Sequence, residues 1–243
     1  MSYTKKELLS NLDKGLQNKL LPPDEKDSSL LYTMKMLNYT GATTDTKELY
    51  TEVIAENLIK HGFIAKEIPD IKMITREKPY YTKNHENFTV AKDSNRVEEN
   101  FVKSLFFYNP FKNEIGTPID YQIPLKNISK DKAGKIDLIT YNDKSNELFL
   151  IEVKDDDSKE TALRACLEIQ TYYQVVNKEK LVKDFVEAGK LEKTNPTIKK
   201  AVLFFKGTNP ANECVNTEKY PNLQKTIKKF DIEVFIVSGS KVC

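Results

Sequence analysis

Two apolar stretches within residues 135–154 carry charged residues at positions where a buried strand normally has none. The first contains Asp137, and the second contains Glu152 and Lys154. Because an unpaired charge is costly to remove from water, charges inside buried strands need partners. Residues 141–146, which join the two stretches, are rich in turn-forming side chains. The pattern therefore predicts a β-hairpin that carries two carboxylates and one ammonium group.

The turn fixes the register that we predict for this hairpin. A symmetric four-residue loop pairs the residues that flank it, Asn142 and Glu147, and counting back places Asp137 opposite Glu152. Directly opposed residues share a face, with Cβ atoms about 4.5–5.5 Å apart, and strand alternation puts Lys154 on that face too. Two carboxylates at that separation repel each other unless a cation lies between them. Mg²⁺, a hard ion that prefers oxygen ligands, meets this need.

Hydrophobic periodicity predicts the other elements of the second half of the chain. Pro124 indicates that the first strand lies at a sheet edge. The predicted order is α-β-β-β-α-β-α-β, which is typical of a mixed sheet flanked by helices. Besides the hairpin, the predicted elements are a helix over 96–108, a strand over 121–125, a helix from Asp157 or Ser158 to about Asn177, a helix over 180–188, a strand over 200–206, a helix over 220–230 and a strand over 232–237.

The first part of the chain has a different pattern. We predict an accessory, partly helical N-terminal region over residues 1–92, followed by a second domain over residues 93–243. The N-terminal region has one amphipathic helix over residues 5–20 and another that starts at Thr44 or Asp45 and ends near residue 61. Two interpretations stay open for this region: an extension that packs on the second domain, and a helical DNA-binding module.

Composition narrows the class of protein. The chain has 243 residues and a net charge of +2, so any basic surface for nucleic acid must be local. Three widely spaced cysteines and two histidines do not supply a disulfide framework, a zinc site or a histidine-based triad. No signal peptide or membrane-length apolar run is evident in the sequence, so we expect a cytoplasmic protein without a membrane partner.

The order of elements, with Asp137 on the second core strand and Glu152, Val153 and Lys154 on the third, resembles the PD-(D/E)XK nuclease superfamily. The resemblance covers roughly residues 95–243. It implies an α/β, restriction-endonuclease-like fold, in which a mixed β-sheet with an αβββαβ core is flanked by helices, here with a mostly helical N-terminal extension.

The resemblance also implies a set of site residues. Asp137 and Glu152 would bind Mg²⁺, for which Mn²⁺ can substitute, and the backbone carbonyl of Val153 would be a further ligand. Lys154 would orient the attacking water. Residues 97–105 are similar to the corresponding helix of archaeal Holliday-junction resolvases, and this likeness selects Glu98 rather than Glu99 as an additional catalytic and metal-binding acid. Many members also carry a glutamine, and a tyrosine three residues later, on the helix that follows the lysine. Gln170 and Tyr173 fit this pattern, which implies a site role for Gln170, and Gln170 lies on an apolar stripe that faces the sheet.

The sequence departs from the family motif at one position and has additional charged residues near it. Ile136 stands where the motif has proline, which leaves the chemistry intact. Asp155, Asp156 and Asp157 follow Lys154 directly, and they would either repel DNA or form a loop that turns away. We interpret Arg164 and Glu168, four residues apart on the predicted helix, as a solvated ion pair.

The sequence thus predicts a Mg²⁺-dependent nuclease, and in particular a DNA endonuclease of defence, repair or recombination. Relatives of this kind are commonly homodimers. A catalytically inactive nuclease-fold protein that binds nucleic acid or a protein partner is the main alternative. Another Mg²⁺-dependent phosphate enzyme is less favoured, because no glycine-rich phosphate loop is present. Two groups of lysines could contact phosphates or form solvated faces: Lys126, Lys130, Lys132 and Lys135, and Lys225, Lys228 and Lys229.

Overall fold

The computed structural model describes residues 2–19, 31–64, 73–74, 76–82, 85, 97–127 and 134–238, leaving out the side chains of residues 17–19, 97, 98 and 112. The helices are α1 (Lys5–Lys19), α2 (Tyr50–Lys60), α3 (Val97–Tyr108), α4 (Lys112–Ile115), α5 (Ala162–Val175), α6 (Lys178–Glu187), α7 (Asn209–Val215) and α8 (Pro221–Phe230). Two short 3₁₀ helices cover Leu31–Thr33 and Lys35–Asn38. The strands are β1 (Thr117–Pro124), β2 (Lys135–Asn142), β3 (Glu147–Val153), β4 (Thr197–Phe205) and β5 (Ile232–Val237).

The five strands form one mixed sheet in the order β1-β2-β3-β4-β5. The first three strands are antiparallel neighbours, and β3, β4 and β5 run parallel. Parallel neighbours need a crossover connection, and α5 and α6 supply it between β3 and β4. An α/β fold with a mixed sheet flanked by helices is therefore confirmed, as is the edge position of the strand that contains Pro124.

The predicted register of the β2–β3 hairpin is confirmed over its described ladder. Asn142 pairs with Glu147, and the pairing continues to Leu138 opposite Ile151. Asn146 closes the turn with a φ of 53°, in the left-handed region that asparagine tolerates better than most residues. The ladder ends at that pair, so the opposition of Asp137 and Glu152, one residue further along on each strand, stays a prediction.

The two faces of the sheet contact different helices. Phe149, Ile151 and Val153 pack with α3 residues such as Phe101 and Leu105. The opposite face packs against α5 in a second and larger cluster of buried side chains. Fully burying one large apolar side chain stabilises a fold by about 1.5–3 kcal/mol, so both layers contribute to holding the hairpin in place.

The described N-terminal elements share the larger cluster. Leu12 of α1 and Leu58 of α2 are fully buried together with Leu167 of α5 and Leu150 of β3. This continuous packing favours the interpretation of the N-terminal region as a packing extension. The boundary between residues 92 and 93 stays a prediction, and residues 83, 84 and 86–96 lie outside the described part.

Polar contacts also join α2 to the C-terminal half of the protein. The carboxylate of Glu52 accepts hydrogen bonds from the backbone N–H groups of Asn222 and Leu223 at 2.8 and 2.9 Å, at the start of α8. A carboxylate at a helix N-terminus satisfies N–H groups that have no partner within the helix and interacts favourably with the helix dipole.

Two predicted helix starts are wrong for a common reason. α2 begins at Tyr50 instead of Thr44 or Asp45, because residues 43–48 form a turn in which the Glu48 N–H donates to the Thr43 hydroxyl. α5 begins at Ala162, with Thr161 as its N-cap, instead of near Asp157. The polar residues that suggested caps form local turns instead, because short polar side chains often hydrogen-bond to the nearby backbone and so compete with helix formation. Helix α7, capped by Thr208, was not predicted from the sequence.

Glu213 of α7 is a buried link between three helices. Its carboxylate accepts hydrogen bonds from the Ala162 N–H at 2.7 Å, the Thr51 hydroxyl at 3.1 Å and the Asn209 amide at 3.2 Å. Only 3% of the residue is exposed. Burial raises the pKa of Glu213 to about 7, against the opposing effect of its hydrogen bonds.

We predict that Glu213 makes the stability of the protein depend on pH. Its folded-state pKa lies above the ordinary value of 4.5, so the folded state binds a proton that the unfolded chain releases. The contribution of Glu213 to stability should therefore fall as the pH rises from about 4.5 to 7, by at most about 3 kcal/mol. Denaturant unfolding of wild type and Glu213→Gln at pH 5 and pH 8 measures it. Wild type should lose stability relative to Glu213→Gln at the higher pH, and a constant difference would contradict the assignment.

Candidate active site

Asp137 lies where the hairpin ladder ends. Beyond the last described pair, the Val153 N–H donates to Oδ2 of Asp137 at 3.0 Å. The other oxygen, Oδ1, accepts from the Gln122 side-chain amide at 2.9 Å. Asp137 is 8% exposed. These contacts hold the carboxylate between β1 and β3, beside the backbone that leads into Glu152 and Lys154.

Gln122 of β1 has an unusual backbone conformation at this point. Its φ is 49°, a left-handed value that is uncommon for a residue with a side chain. Its neighbours Tyr121 and Ile123 lie in different core clusters, as do Leu138 and Ile136 on β2, although residues two apart on a strand normally share a face. Both strands therefore twist at the level of Asp137. Sequence reasoning missed Gln122, which carries no motif signal.

Glu152 is almost completely buried, at 3% exposed. Lys154 donates from its ammonium group to Oε1 of Glu152 at 2.7 Å. Burial raises the pKa of Glu152 well above its usual range, and the nearby carboxylates of Asp137 and Glu168 raise it further, while Lys154 opposes the shift. The predicted proximity of the two motif carboxylates and the lysine is thus present in the structure.

Lys154 lies among three carboxylates. Its ammonium nitrogen is 2.7 Å from Glu152, 3.0 Å from Glu160 and 3.5 Å from Glu168. Glu160 precedes α5, and Glu168 lies two turns into that helix. The helix that follows β3 therefore supplies acids to the same buried space as the hairpin does.

The interpretation of Arg164 and Glu168 as a solvated pair is wrong. Arg164 pairs with Glu160, four residues earlier, and Glu168 is 8% exposed and faces Lys154. The sequence held one signal for this placement, because Ala165 and Tyr172, one turn before and one turn after Glu168 on the helix, are side chains that a core accepts. Its spacing of four residues from Arg164 favours the interpretation as an exposed ion pair instead.

The described site carries more negative than positive charge. Four carboxylates, from Asp137, Glu152, Glu160 and Glu168, share two cations, Lys154 and Arg164. Oε2 of Glu160 and Oε2 of Glu168 are buried and accept no hydrogen bond of normal geometry, although both are ion-paired with Lys154. Buried carboxylates in excess hold protons or attract cations.

Gln170 is placed beside the candidate site without contacting its carboxylates. It is 2% exposed and faces the sheet, as predicted. Its amide oxygen accepts from the Lys200 ammonium at 2.9 Å, and Lys200 also donates to the carbonyl of Phe230. Gln170 therefore helps to bury a lysine of β4, and a role in the chemistry of the site stays a prediction.

The remaining predictions concern Glu98, the three aspartates after Lys154 and the carbonyl of Val153. The side chain of Glu98 is outside the described part of the structure, so its role stays a prediction. Its neighbour Glu99 lies 3.9 Å from the ammonium group of Lys135. Residues 155–157 form a turn-containing loop that precedes α5, in agreement with the interpretation of these aspartates as a loop. Val153 lies between Glu152 and Lys154, with its carbonyl still only predicted as a ligand.

Comparisons with known proteins identify no relative. The chain matches no protein-family model, no curated protein sequence and no solved structure. Among the described helices, none is long and apolar enough to cross a membrane.

We predict that Lys154 is required for the stability of this buried cluster. Lys154→Met leaves Glu152 and Glu168 without their shared cation, and breaking one side of a buried ion pair typically costs about 3–5 kcal/mol. The loss should be large at pH 8 and smaller at pH 5, where the carboxylates can take up protons. Denaturant unfolding at both pH values measures it.

Lys183→Met is the matched control. Its partner Glu187 is 3.7 Å away and both side chains are largely exposed, so this change should shift the free energy of unfolding by less than about 0.5 kcal/mol. Equal losses for the two variants would show that the Lys154 cluster contributes no special stability.

Proposed function

We propose that this protein is a Mg²⁺-dependent nuclease that hydrolyses phosphodiester bonds, and specifically a cytoplasmic DNA endonuclease with a restriction-endonuclease-like core. The observation that carries the proposal is the convergence of Asp137, Glu152 and Lys154 at the open end of the β2–β3 hairpin. Three strands in antiparallel order, then a helix, then a parallel strand, support the same assignment.

The donor chemistry of the site fits a hard divalent cation. Asp137 and Glu152 supply carboxylate oxygens and the surrounding acids supply surplus negative charge, both of which favour Mg²⁺ or Mn²⁺. Within the described ranges, no three histidine, cysteine, aspartate or glutamate side chains are already arranged to hold a metal ion. A metal ion that binds Oε1 of Glu152 would have to replace the ammonium group of Lys154, which lies 2.7 Å from that oxygen.

Each residue has a separate role in this proposal. Asp137 and Glu152 would hold the metal, with the Val153 carbonyl and Glu98 as further candidate ligands. The metal, when bound, lowers the pKa of a bound water and polarises the scissile phosphate. Lys154, once released from Glu152, would orient the attacking water. The Val153 N–H and Gln122 amide keep the Asp137 carboxylate in position.

One observation favours the alternative of a catalytically inactive binding protein. Lys154 already satisfies Glu152 and two further acids, so the cluster can persist as a structural ion network. A protein of that kind would bind nucleic acid or a protein partner without cleaving it. Metal binding and cleavage therefore need separate tests.

We predict that Mn²⁺ stabilises the wild-type protein through Asp137. A metal present at 100 times its dissociation constant stabilises a folded protein by about 2.7 kcal/mol. Thermal unfolding with and without Mn²⁺ should show an upward shift for wild type and none for Asp137→Asn. Asp157→Asn, which changes an exposed acid in the adjacent loop, should keep the wild-type shift. An equal shift in all three proteins would place the metal elsewhere.

We predict that wild type cleaves DNA with Mg²⁺ or Mn²⁺, while Glu152→Gln and Lys154→Met are slower by about 100-fold or more, as is common when a charge-stabilising group is removed. Supercoiled plasmid, linear duplex, single strands and four-way junctions are the substrates. Lys183→Met should cleave like wild type. If Lys154→Met cleaves equally fast, the role of Lys154 is wrong. Binding of DNA without cleavage by wild type would support the inactive alternative.

A further inference from the structure

A buried line of hydroxyl groups connects the N-terminal region to the candidate site. Tyr32, in the first 3₁₀ helix, lies with its hydroxyl 3.1 Å from the Tyr172 hydroxyl of α5. Tyr172 donates to Oε1 of Glu168 at 2.7 Å, and Oε2 of Glu168 is 3.5 Å from the Lys154 ammonium. Tyr32, which precedes Tyr172 by 140 positions in sequence, thus lies two hydrogen bonds from a carboxylate that contacts Lys154.

The direction of these hydrogen bonds follows from proton counting. A tyrosine hydroxyl has one proton, and an ionised carboxylate can only accept. Because Tyr172 gives its proton to Glu168, its oxygen must accept from Tyr32. The order is therefore Tyr32 to Tyr172 to Glu168, and each donor strengthens the next in a chain of this kind.

The packing around the two tyrosines is tight. Tyr32 and Tyr172 are 6% and 4% exposed, and their rings meet edge to face with centroids 5.6 Å apart. A Cβ on Gly134, the residue before β2, would lie 2.1 Å from the Tyr172 hydroxyl oxygen. Only a residue without a side chain leaves room for this hydroxyl. The Tyr172 hydroxyl is therefore packed directly against the start of the hairpin.

Both hydroxyls keep their protons in neutral solution. Burial raises the pKa of Tyr32 to about 12, and the nearby Glu168 carboxylate adds to the shift. Burial likewise raises the pKa of Tyr172 well above its usual range. The pair can therefore act as hydrogen-bond donors at any pH at which the protein would work.

We propose that Tyr32 is a positioning residue of the nuclease site, acting through Tyr172 to fix the carboxylate of Glu168 and, with it, the ammonium group of Lys154. This inference rests on the proposed nuclease function. It gives the N-terminal region a role in the reaction: its first 3₁₀ helix supplies an outer support of the site. A site built from residues 93–243 alone would lack that support.

The test compares four variants: Tyr32→Phe, Tyr172→Phe, the double variant and Tyr80→Phe. Tyr80 is a matched control, because it is fully buried and its hydroxyl accepts a hydrogen bond from the Asn177 N–H at 3.1 Å, away from Glu168. Each protein is assayed for Mn²⁺-dependent DNA cleavage, which gives the rate at saturating Mn²⁺ and the Mn²⁺ concentration for half the maximal rate. Thermal unfolding is measured in parallel.

We expect Tyr172→Phe to lower the saturated rate about tenfold, since it removes a hydrogen bond to a charged group, and Tyr32→Phe about threefold. The Mn²⁺ concentration for half the maximal rate should change little, because neither tyrosine is a ligand. Adding Tyr32→Phe to Tyr172→Phe should cause no further loss, because Tyr32 acts through Tyr172. Tyr80→Phe should lower the unfolding temperature to a similar extent and leave the rate unchanged.

The two possible failures can be told apart. If wild type cleaves no substrate, the nuclease proposal fails, and the positioning role of Tyr32, which rests on that proposal, fails too. If wild type cleaves and Tyr32→Phe behaves like Tyr80→Phe, the nuclease proposal stands and the positioning role is overturned. Losses that multiply in the double variant would also overturn it, since they would show that the two hydroxyls act independently.

Discussion

The buried ammonium group of Lys154 is the interaction on which this part of the structure depends. It contacts Glu152 at the end of β3, and Glu160 and Glu168 from the region of α5. Without a cation at this point, the carboxylate of Glu152 would repel those of Glu160 and Glu168, because the interior has a low dielectric constant. The same ion network joins the end of β3 to α5 and keeps Lys154 in contact with Glu152, while the Val153 N–H and the Gln122 amide hold Asp137.

The hairpin was predictable from sequence because its signals are local. A four-residue turn and strict strand alternation determine which residues are opposed, and the structure has that register from Asn142 and Glu147 to Leu138 and Ile151. The contributions of Glu160, Glu168 and Tyr32 were not predictable in the same way. They depend on how α5 and the N-terminal region pack on the sheet, and side-chain periodicity along one element does not report which neighbour that element meets.

The left-handed backbone of Gln122 is another feature that no local pattern indicates. A positive φ at a glutamine is unfavourable, and such strain persists when the surrounding structure determines it. Here the Gln122 amide contacts the Asp137 carboxylate, and at this level β1 and β2 change the core cluster to which their alternate residues belong, while the two strands stay paired on either side. The predicted cap residues Asp45 and Asp157 were misassigned because polar side chains stabilise both turns and helix starts.

The contacts between the N-terminal region and the rest of the protein have a consequence for synthesis of the chain. Thr51 donates a hydrogen bond to Glu213, 162 residues later in the chain, and Glu52 accepts one from Asn222, 170 residues later. At a translation rate of about 5–20 residues per second, α2 would wait roughly ten to thirty seconds for these partners to be made. During that interval its apolar face has nothing from the C-terminal half to cover it. The nascent protein should therefore depend on chaperones more than a chain in which neighbouring segments fold in order.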